Sequence, residues 1–398
     1  MTGQADTTDA NIAALRHARQ RLNDWHFNQA LPLWAAAGVH PSGGFFEALD
    51  FSGAPLASDR ARVRVQARQV AVFAAAHQAG WAPMRSRALV ERGLDFMLRA
   101  CRREDGVFGR VVDLRRQMLA DPAADLYDTA FCVFAVALAR PVVGAALDWV
   151  LADLLACLAR VLARGAGQGY FESLPPPAWR AQNPHMHLLE ALLATRQASH
   201  AVLADQQLDD LIGFIDARFF DRHAAFVRER VSADGVALDP SYEPGHSFEW
   251  VWLLAQLPPA AQARLGQAKV ADFSRCLYAR ACQSLLPDGR AVMSADLGNK
   301  PVDGSTRLWS QTEALRAHLV MAGHGDAPLA EAALARAVQT TQSLLDNWLL
   351  AAPVAGGWLD HKDSAGRAIA AAMPASTYYH ILGAIEATNR FCDASANP

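Results

Sequence analysis

Several absences narrow the reading before any motif is considered. There is no basic excess, because 37 Lys and Arg stand against 40 Asp and Glu, a net charge of −3 with 13 histidines counted neutral. No global positive field is therefore available to hold nucleic acid. No window approaches eighteen uncharged apolar residues, and the opening MTGQADTTDANIAALRHARQRL has no apolar run of signal-peptide length. The expectation is a cytoplasmic chain with no membrane association. No C-x-x-C pair occurs among Cys101, Cys132, Cys157, Cys276, Cys282 and Cys392, most of which sit in apolar, helix-like runs. They read as reduced core thiols, not as a disulfide frame or zinc site. Sustained period-two alternation is also scarce, which excludes an extensive sheet.

What is present is helical. Phe131, Phe134, Ala135 and Leu138, like Phe248, Val251, Trp252 and Ala255, follow i, i+3, i+4, i+7. With 52% apolar residues in 398, the chain can bury a large core. Periodic segments between breakers predict about twelve helices, at roughly 8–36, 60–79, 86–101, 125–139, 143–163, 184–198, 204–220, 245–257, 261–284, 309–322, 328–350 and 374–391.

The connections alternate between about five residues and about twenty. Each long one carries a turn-rich, strand-like stretch: Gly43 to Phe46, Asp105 to Gly109, Gly169 to Phe171, Ala225 to Val227, Gly289 to Val292 and Gly356 to Leu359. They recur at intervals of roughly sixty residues. Six helical hairpins with long loops on one side and short turns on the other predict an all-α fold, a closed (α/α)6 toroid forming one domain over 1–398. An open solenoid shares the helix pairs but has shorter periods and short loops on both sides.

In such a toroid the even-numbered helices form the inner ring and open their amino ends onto the long loops. Polar groups collect there. Arg64 and Arg68 lie on the second helix, Asp125, Tyr127 and Asp128 on the fourth, and Asn183, His185, His187 and Glu190 on the sixth. His246 and Glu249 lie on the eighth, Arg307, Trp309, Gln311 and Glu313 on the tenth, and Tyr378, Tyr379 and His380 on the twelfth. Their convergence predicts one water-poor pocket.

Aromatic faces with carboxylate, amide and guanidinium groups suit a polyhydroxylated carbonyl compound. Moving the C2 proton of an open-chain aldose needs a neutral base and stabilisation of an enediolate oxygen, roles natural to His and to Arg68. The helix dipole favours neutral His246, whereas Glu249, three residues on, favours its protonated form; the sequence leaves that balance open. No cofactor or metal is expected. His185 and His187 diverge by about 200° on a helix and cannot chelate one ion. Gly165 to Gly169 lacks the flanking strand and Lys-Ser/Thr of a phosphate loop.

The segments Gly43-Gly44-Phe45-Phe46-Glu47-Ala48-Leu49-Asp50, Gln66-Ala67-Arg68-Gln69-Val70, Asn183-Pro184-His185-Met186-His187-Leu188-Leu189-Glu190, Pro244-Gly245-His246-Ser247-Phe248-Glu249-Trp250 and Pro374-Ala375-Ser376-Thr377-Tyr378-Tyr379-His380 resemble, in order and over nearly the whole chain, the N-acylglucosamine 2-epimerase family. The resemblance implies an (α/α)6 barrel and C2 proton transfer on a reducing sugar. It further implies His246 and His380 as acid/base pair, Arg68 and His187 at the reacting carbonyl, and Glu249 tuning His246. Asn183, Glu190, Trp309, Glu313 and Arg64 complete the expected sugar site. Arg62 to Arg68 is more similar to the mannose-isomerase branch than to the N-acetylglucosamine branch, where a Trp commonly stands near Arg64.

The expected activity is aldose–ketose isomerisation of mannose-type sugars. His380 is then the C2 base and His246 the assisting acid/base, or the two exchange roles. Sugar 2-epimerisation is the alternative, since both histidines are present. An inverting glycoside hydrolase pairing Glu249 or Glu313 with Asp125 or Asp128 leaves the histidines idle, and a non-catalytic carbohydrate-binding protein is the remaining option. The partner expected is a small sugar, with the chain a monomer or homodimer. Arg110, Arg180 and Lys300 are the groups to watch for a substrate phosphate.

Overall fold

A computed structural model describes residues 2–199 and 202–395. Its helices are α1 (Thr2–Trp25), α2 (Leu31–Ala37), α3 (Val63–Gln78), α4 (Pro83–Ala100), α5 (Leu126–Val143), α6 (Leu147–Val161) and α7 (Gln182–Ser199). They continue as α8 (Val202–Arg218), α9 (Pro244–Gln256), α10 (Pro259–Leu265), α11 (Gln267–Gln283), α12 (Leu308–His324), α13 (Ala327–Ser343) and α14 (Tyr378–Ala394). A π-helical turn, His26–Ala30, joins α1 to α2, and a second, Leu344–Leu349, extends α13. The helix expected over 261–284 is interrupted: Gly266, at φ +82°, separates α10 from α11.

Burial divides the helices into two sets. In α9 every residue from Pro244 to Leu254 is buried, and in α12 all from Leu308 to Met321 except Trp309 are buried. A helix buried all round belongs inside. By contrast, α4 exposes Arg85, Arg87, Glu91, Asp95 and Arg99 while burying Leu89, Val90, Phe96 and Met97, the pattern of a surface helix. The inner helices α3, α5, α7, α9, α12 and α14 each pack against the next, and α14 packs against α3. The helices α4, α6, α8, α11, α13 and α1 cover them from outside. By length and composition α5 would span a membrane, yet 67% of that window is buried in this ring, as a core helix should be.

Short antiparallel strands tie the long loops into a second cycle. The residues before each inner helix pair with the loop following the next outer helix: Arg60–Arg62 with Val111–Asp113, Ala124–Asp125 with Ser173–Leu174, and Trp179–Ala181 with Arg230–Ser232. Ser241–Tyr242 pairs with Ser294–Asp296, and Thr306–Arg307 with His361–Lys362. The sixth pairing, Ala48–Leu49 with Met373–Pro374, joins the first long loop to the last. Trp34 stacks on Trp358 with centroids 4.6 Å apart behind this seam.

Five of the six strand-like stretches expected from the sequence form hairpin bridges just after an outer helix, at Val39↔Phe45, Arg102↔Phe108, Ala163↔Tyr170, Phe220↔Val227 and Leu285↔Ala291. Gly106 shows why the turn recurs with glycine: its φ is +93° and a Cβ there would lie 2.3 Å from Cys157 Sγ. The sixth stretch, Gly356 to Leu359, is instead held by the Leu359 N–H donating to the Trp348 carbonyl at 2.8 Å.

Candidate active site

Each inner helix is separated from its loop strand by at most three residues, so its first turns carry side chains back over the loop end of the ring. Asp125 illustrates the local logic: it is extended, caps α5 by accepting from the Asp128 N–H at 3.1 Å, and leaves Tyr127 facing α3.

Two histidines flank one indole. The Trp309 ring lies 5.1 Å from that of His246 and 5.8 Å from that of His380, centroid to centroid. Gly245 makes this approach possible, since a Cβ there would stand 2.6 Å from the Trp309 ring. Both histidines are nearly buried, at 7% and 6% exposure.

Their surroundings differ. Nδ1 of His246 meets Glu229 Oε2 at 2.8 Å, with Glu243 Oε2 at 3.9 Å. Burial alone would lower its pKa, but the charges of Glu229 and Glu243 and the hydrogen bond raise it to about 10. Nδ1 of His380 meets Glu313 Oε1 at 2.8 Å, while the other oxygen of Glu313 accepts from Arg316 at 2.8 Å. Burial, reinforced by Arg68 and Arg316, holds His380 well below the usual imidazole range.

The hydrogen-bond partner of His246 is thus Glu229, not Glu249. Side chains on α9 tilt toward its amino end, so the imidazole reaches back to the preceding loop while Glu249 points inward. Glu249 Oε1 lies 3.8 Å from His187 Nδ1 and has no hydrogen-bond partner among the described residues. Burial, with Glu313 and Glu190 nearby, raises the Glu249 carboxyl well above the ordinary value.

His187 donates toward Glu190 Oε2 at 3.2 Å, and the Tyr379 hydroxyl donates to the same oxygen. Burial would raise Glu190, but those bonds and Arg316 outweigh it and hold the carboxylate at about 2. Burial lowers His187 to about 4. Its neighbour His185 points into the outer layer, with Nδ1 2.8 Å from the Ala181 carbonyl and its ring packed against Phe214 and Phe219.

Arg68 donates to the Ser376 carbonyl at 3.1 Å and to Tyr127 Oη at 2.9 Å, lies over the Phe131 ring at 4.1 Å, and has a buried Nε without a partner among the described residues. Arg64 is differently employed. It grips buried Asp128 through Nε at 3.0 Å and a terminal nitrogen at 2.8 Å, pinning α3 to α5. Asp125 is paired with Arg110 at 3.0 Å. Asn183 is partly buried, with its side-chain oxygen unpartnered among the described residues.

Glu229 and Arg316 were not anticipated. Glu229 sits in a loop with no period to mark it, whereas the i, i+3 acid and base pair Glu313 and Arg316 in an apolar helix was a usable signal. Among the described residues three sets draw ligating atoms within 4.8 Å of one another: His187, Glu190 and Glu249; Glu229, Glu243 and His246; and Glu249, Glu313 and His380. In all three, the histidine Nδ1 already meets a carboxylate at hydrogen-bond distance. Beyond Glu190, Arg316 and Tyr379, toward the short turns, lies a cavity of about 350 Å³ bounded also by Trp252, Glu386 and Arg390.

Residues 44–384 match the family described as N-acylglucosamine 2-epimerase (GlcNAc 2-epimerase). The chain belongs to that family. Among curated relatives of this epimerase family member, a protein named mannose-6-phosphate isomerase from Rhizobium meliloti (strain 1021) is 32% identical over 374 residues, 92% of this chain and 95% of that protein. Among solved structures, a D-mannose isomerase superposes with a TM-score of 0.80 at 16% identity, covering 94% of this chain and 97% of its own. A cellobiose 2-epimerase from Spirochaeta thermophila DSM 6192 gives 0.81 at 20% identity, covering 96% and 98%. At such identities these structures establish a shared fold. Membership of the family makes the protein a sugar isomerase or epimerase.

Proposed function

We propose that the chain is a single (α/α)6-barrel domain that isomerises a mannose-type aldose to its ketose. His380 is the base at C2 and His246 the acid. The observation that carries the reading is the unequal pairing of the two histidines across Trp309: two carboxylates face His246, whereas the carboxylate on His380 is shared with Arg316. One ring is thereby suited to give a proton and the other to take one.

In this scheme His246 protonates the ring oxygen as the sugar opens and takes back the proton that the O1 hydroxyl loses as C1=O forms. His380 removes the C2 proton, the C1 carbonyl electron pair moves onto O1, and a C1–C2 double bond forms. Arg68, with an unpartnered N–H, stabilises the developing oxyanion. The C2 hydroxyl proton then passes to O1 as C2=O forms, and C1 receives the proton carried by His380. Protonation of the opposite face of C2 would give the epimer instead. His187, Glu190, Glu249, Glu313, Trp309 and Asn183 line the sugar site, with Arg64 bracing its wall. The hydrolase reading is disfavoured because Asp125 and Asp128 are both committed to arginines.

Six free cysteines among the described residues suit the reducing cytoplasm, and a monomer or homodimer suffices for a pocket built within one chain. The test is incubation with mannose in deuterated water, followed by NMR. Fructose formation with label at C1 is the expected result. His246→Ala and His380→Ala should each lower kcat by about 10²–10⁴-fold. Label at C2 with glucose as product would convert the reading to epimerisation, and no exchange with any free aldose would overturn it.

A further inference from the structure

The loop residue Glu229 makes more contacts at the site than its sequence position suggests. One carboxylate oxygen takes the backbone N–H of Glu243 at 3.0 Å, and the other faces His246 Nδ1 at 2.8 Å and accepts from Gln182 Nε2 at 3.1 Å. Its backbone carbonyl accepts from the Gln182 N–H at 3.0 Å. Gln182, fully buried, is itself oriented by the Trp250 indole N–H, which donates to Gln182 Oε1 at 2.8 Å. That bond fixes which end of the amide is oxygen, so the NH₂ must face Glu229. Each oxygen of Glu229 thus accepts an N–H, so the carboxylate meets Nδ1 of His246 as a further acceptor and the hydrogen of that contact sits on Nδ1.

From this arrangement we propose that Glu229 is a positioning residue: supported by Gln182 and Trp250, it fixes the His246 ring with Nδ1–H toward the loop, and together with Glu243 keeps the imidazole in its cationic, proton-donating form. The groups facing that ring are Glu229 and Glu243 from the preceding loop, Glu249 on α9 itself, and His380 from α14 across Trp309. Arg307 faces Glu243 and partly offsets it. The upward shift of His246 to about 10 agrees in direction with this geometry.

The inference rests on the reading of His246 as the acid, and its test is chosen to fail separately. In the full chain, the His246 imidazole is followed by ¹⁵N NMR across pH in the native protein, Glu229→Gln and Glu229→Asp. Glutamine presents an oxygen to the same Nδ1–H without charge. The expected result is that His246 stays protonated beyond pH 8 in the native protein and loses its proton at least one pH unit lower in Glu229→Gln. Aspartate should recover part of the shift. The basic limb of kcat/KM should move down by the same amount, with KM changed less than about threefold. If Glu229→Gln does not fold, Glu243→Gln should give a smaller shift of the same sign. Titration of native His246 near its ordinary value, or an unchanged titration in whichever of these glutamine variants folds, overturns the proposal. Should the NMR shifts appear while no sugar turns over, the positioning role stands and the functional reading falls.

Discussion

His380 and Arg316 bind opposite oxygens of the Glu313 carboxylate, each at 2.8 Å. That sharing decides how strongly the imidazole holds a proton. Arg316 spends the charge of Glu313 and adds its own repulsion to an imidazolium, so His380 stays neutral despite a carboxylate at hydrogen-bond distance.

Arg316→Gln therefore has a predictable sign. With the guanidinium gone, Glu313 acts on His380 alone and raises its proton affinity. A base works only when unprotonated, so the acid limb of kcat/KM should move to higher pH, while Arg316→Lys should hold it near the native position. Glu313 is left buried with one partner fewer, and denaturant unfolding should register a loss of about 3–5 kcal/mol. An acid limb that stays in place in Arg316→Gln removes His380 as the base.

Arg64 and Asp128 predict a stability effect of unequal size. The arginine is partly exposed and the aspartate fully buried. Removing the guanidinium in Arg64→Ala strands a buried carboxylate and should cost about 3–5 kcal/mol; Asp128→Asn leaves a cation that water can reach and should cost less. Burial, opposed by Arg64, sets Asp128 at about 6, above its unfolded value. A folded state that binds this proton more tightly gains stability as pH falls from about 6 toward 4 and loses it as pH rises through that window. In Arg64→Ala the window should extend upward, which thermal melts from pH 4 to 8 would read.

Charge pairing at the loop end also bears on phosphorylated sugars. Arg110 meets Asp125, Arg180 meets Glu172 at 2.8 Å, Arg290 meets Asp288 at 2.7 Å, Arg307 meets Asp360 at 2.6 Å, and Arg62 meets Glu47. Lys362 lies over Trp348. A dianionic 6-phosphate seated on any of these arginines would have to displace its carboxylate. Mannose should accordingly exceed mannose 6-phosphate by about tenfold or more in kcat/KM, despite the name carried by the 32% identical relative. Parallel NMR assays of the two sugars check this, and a preference for the phosphate would point to a partner exchange at one of these arginines.

The sequence made the hairpin period visible because it is local: outer helices show one apolar face, inner helices are apolar all round, and glycine marks the recurring turn. His187 and Glu190 were readable for the same reason, one helical turn apart on α7. The pairing of Ala48–Leu49 with Met373–Pro374 was not, since two-residue strands carry no alternation and nothing local records a partner so far along the chain. Glu229 escaped similarly. Its role comes from a loop folding back on α7 and α9, and a lone carboxylate between arginines at 228 and 230 looks like solvated surface until Gln182 and His246 are seen beside it. Glu249 is matched to His246 by spacing, but the imidazole meets Glu229 in the preceding loop while Glu249 lies beside His187.

The strand pairing at the seam also has a kinetic side. It brings together segments more than three hundred residues apart, so its loop-closure entropy exceeds that of the other five pairings, each of which spans a single hairpin. Non-local closure of this kind slows assembly. Because His380 stands just beyond Met373–Pro374, competence for proton transfer arrives only when the circle shuts, after the remaining hairpins have had the chance to settle.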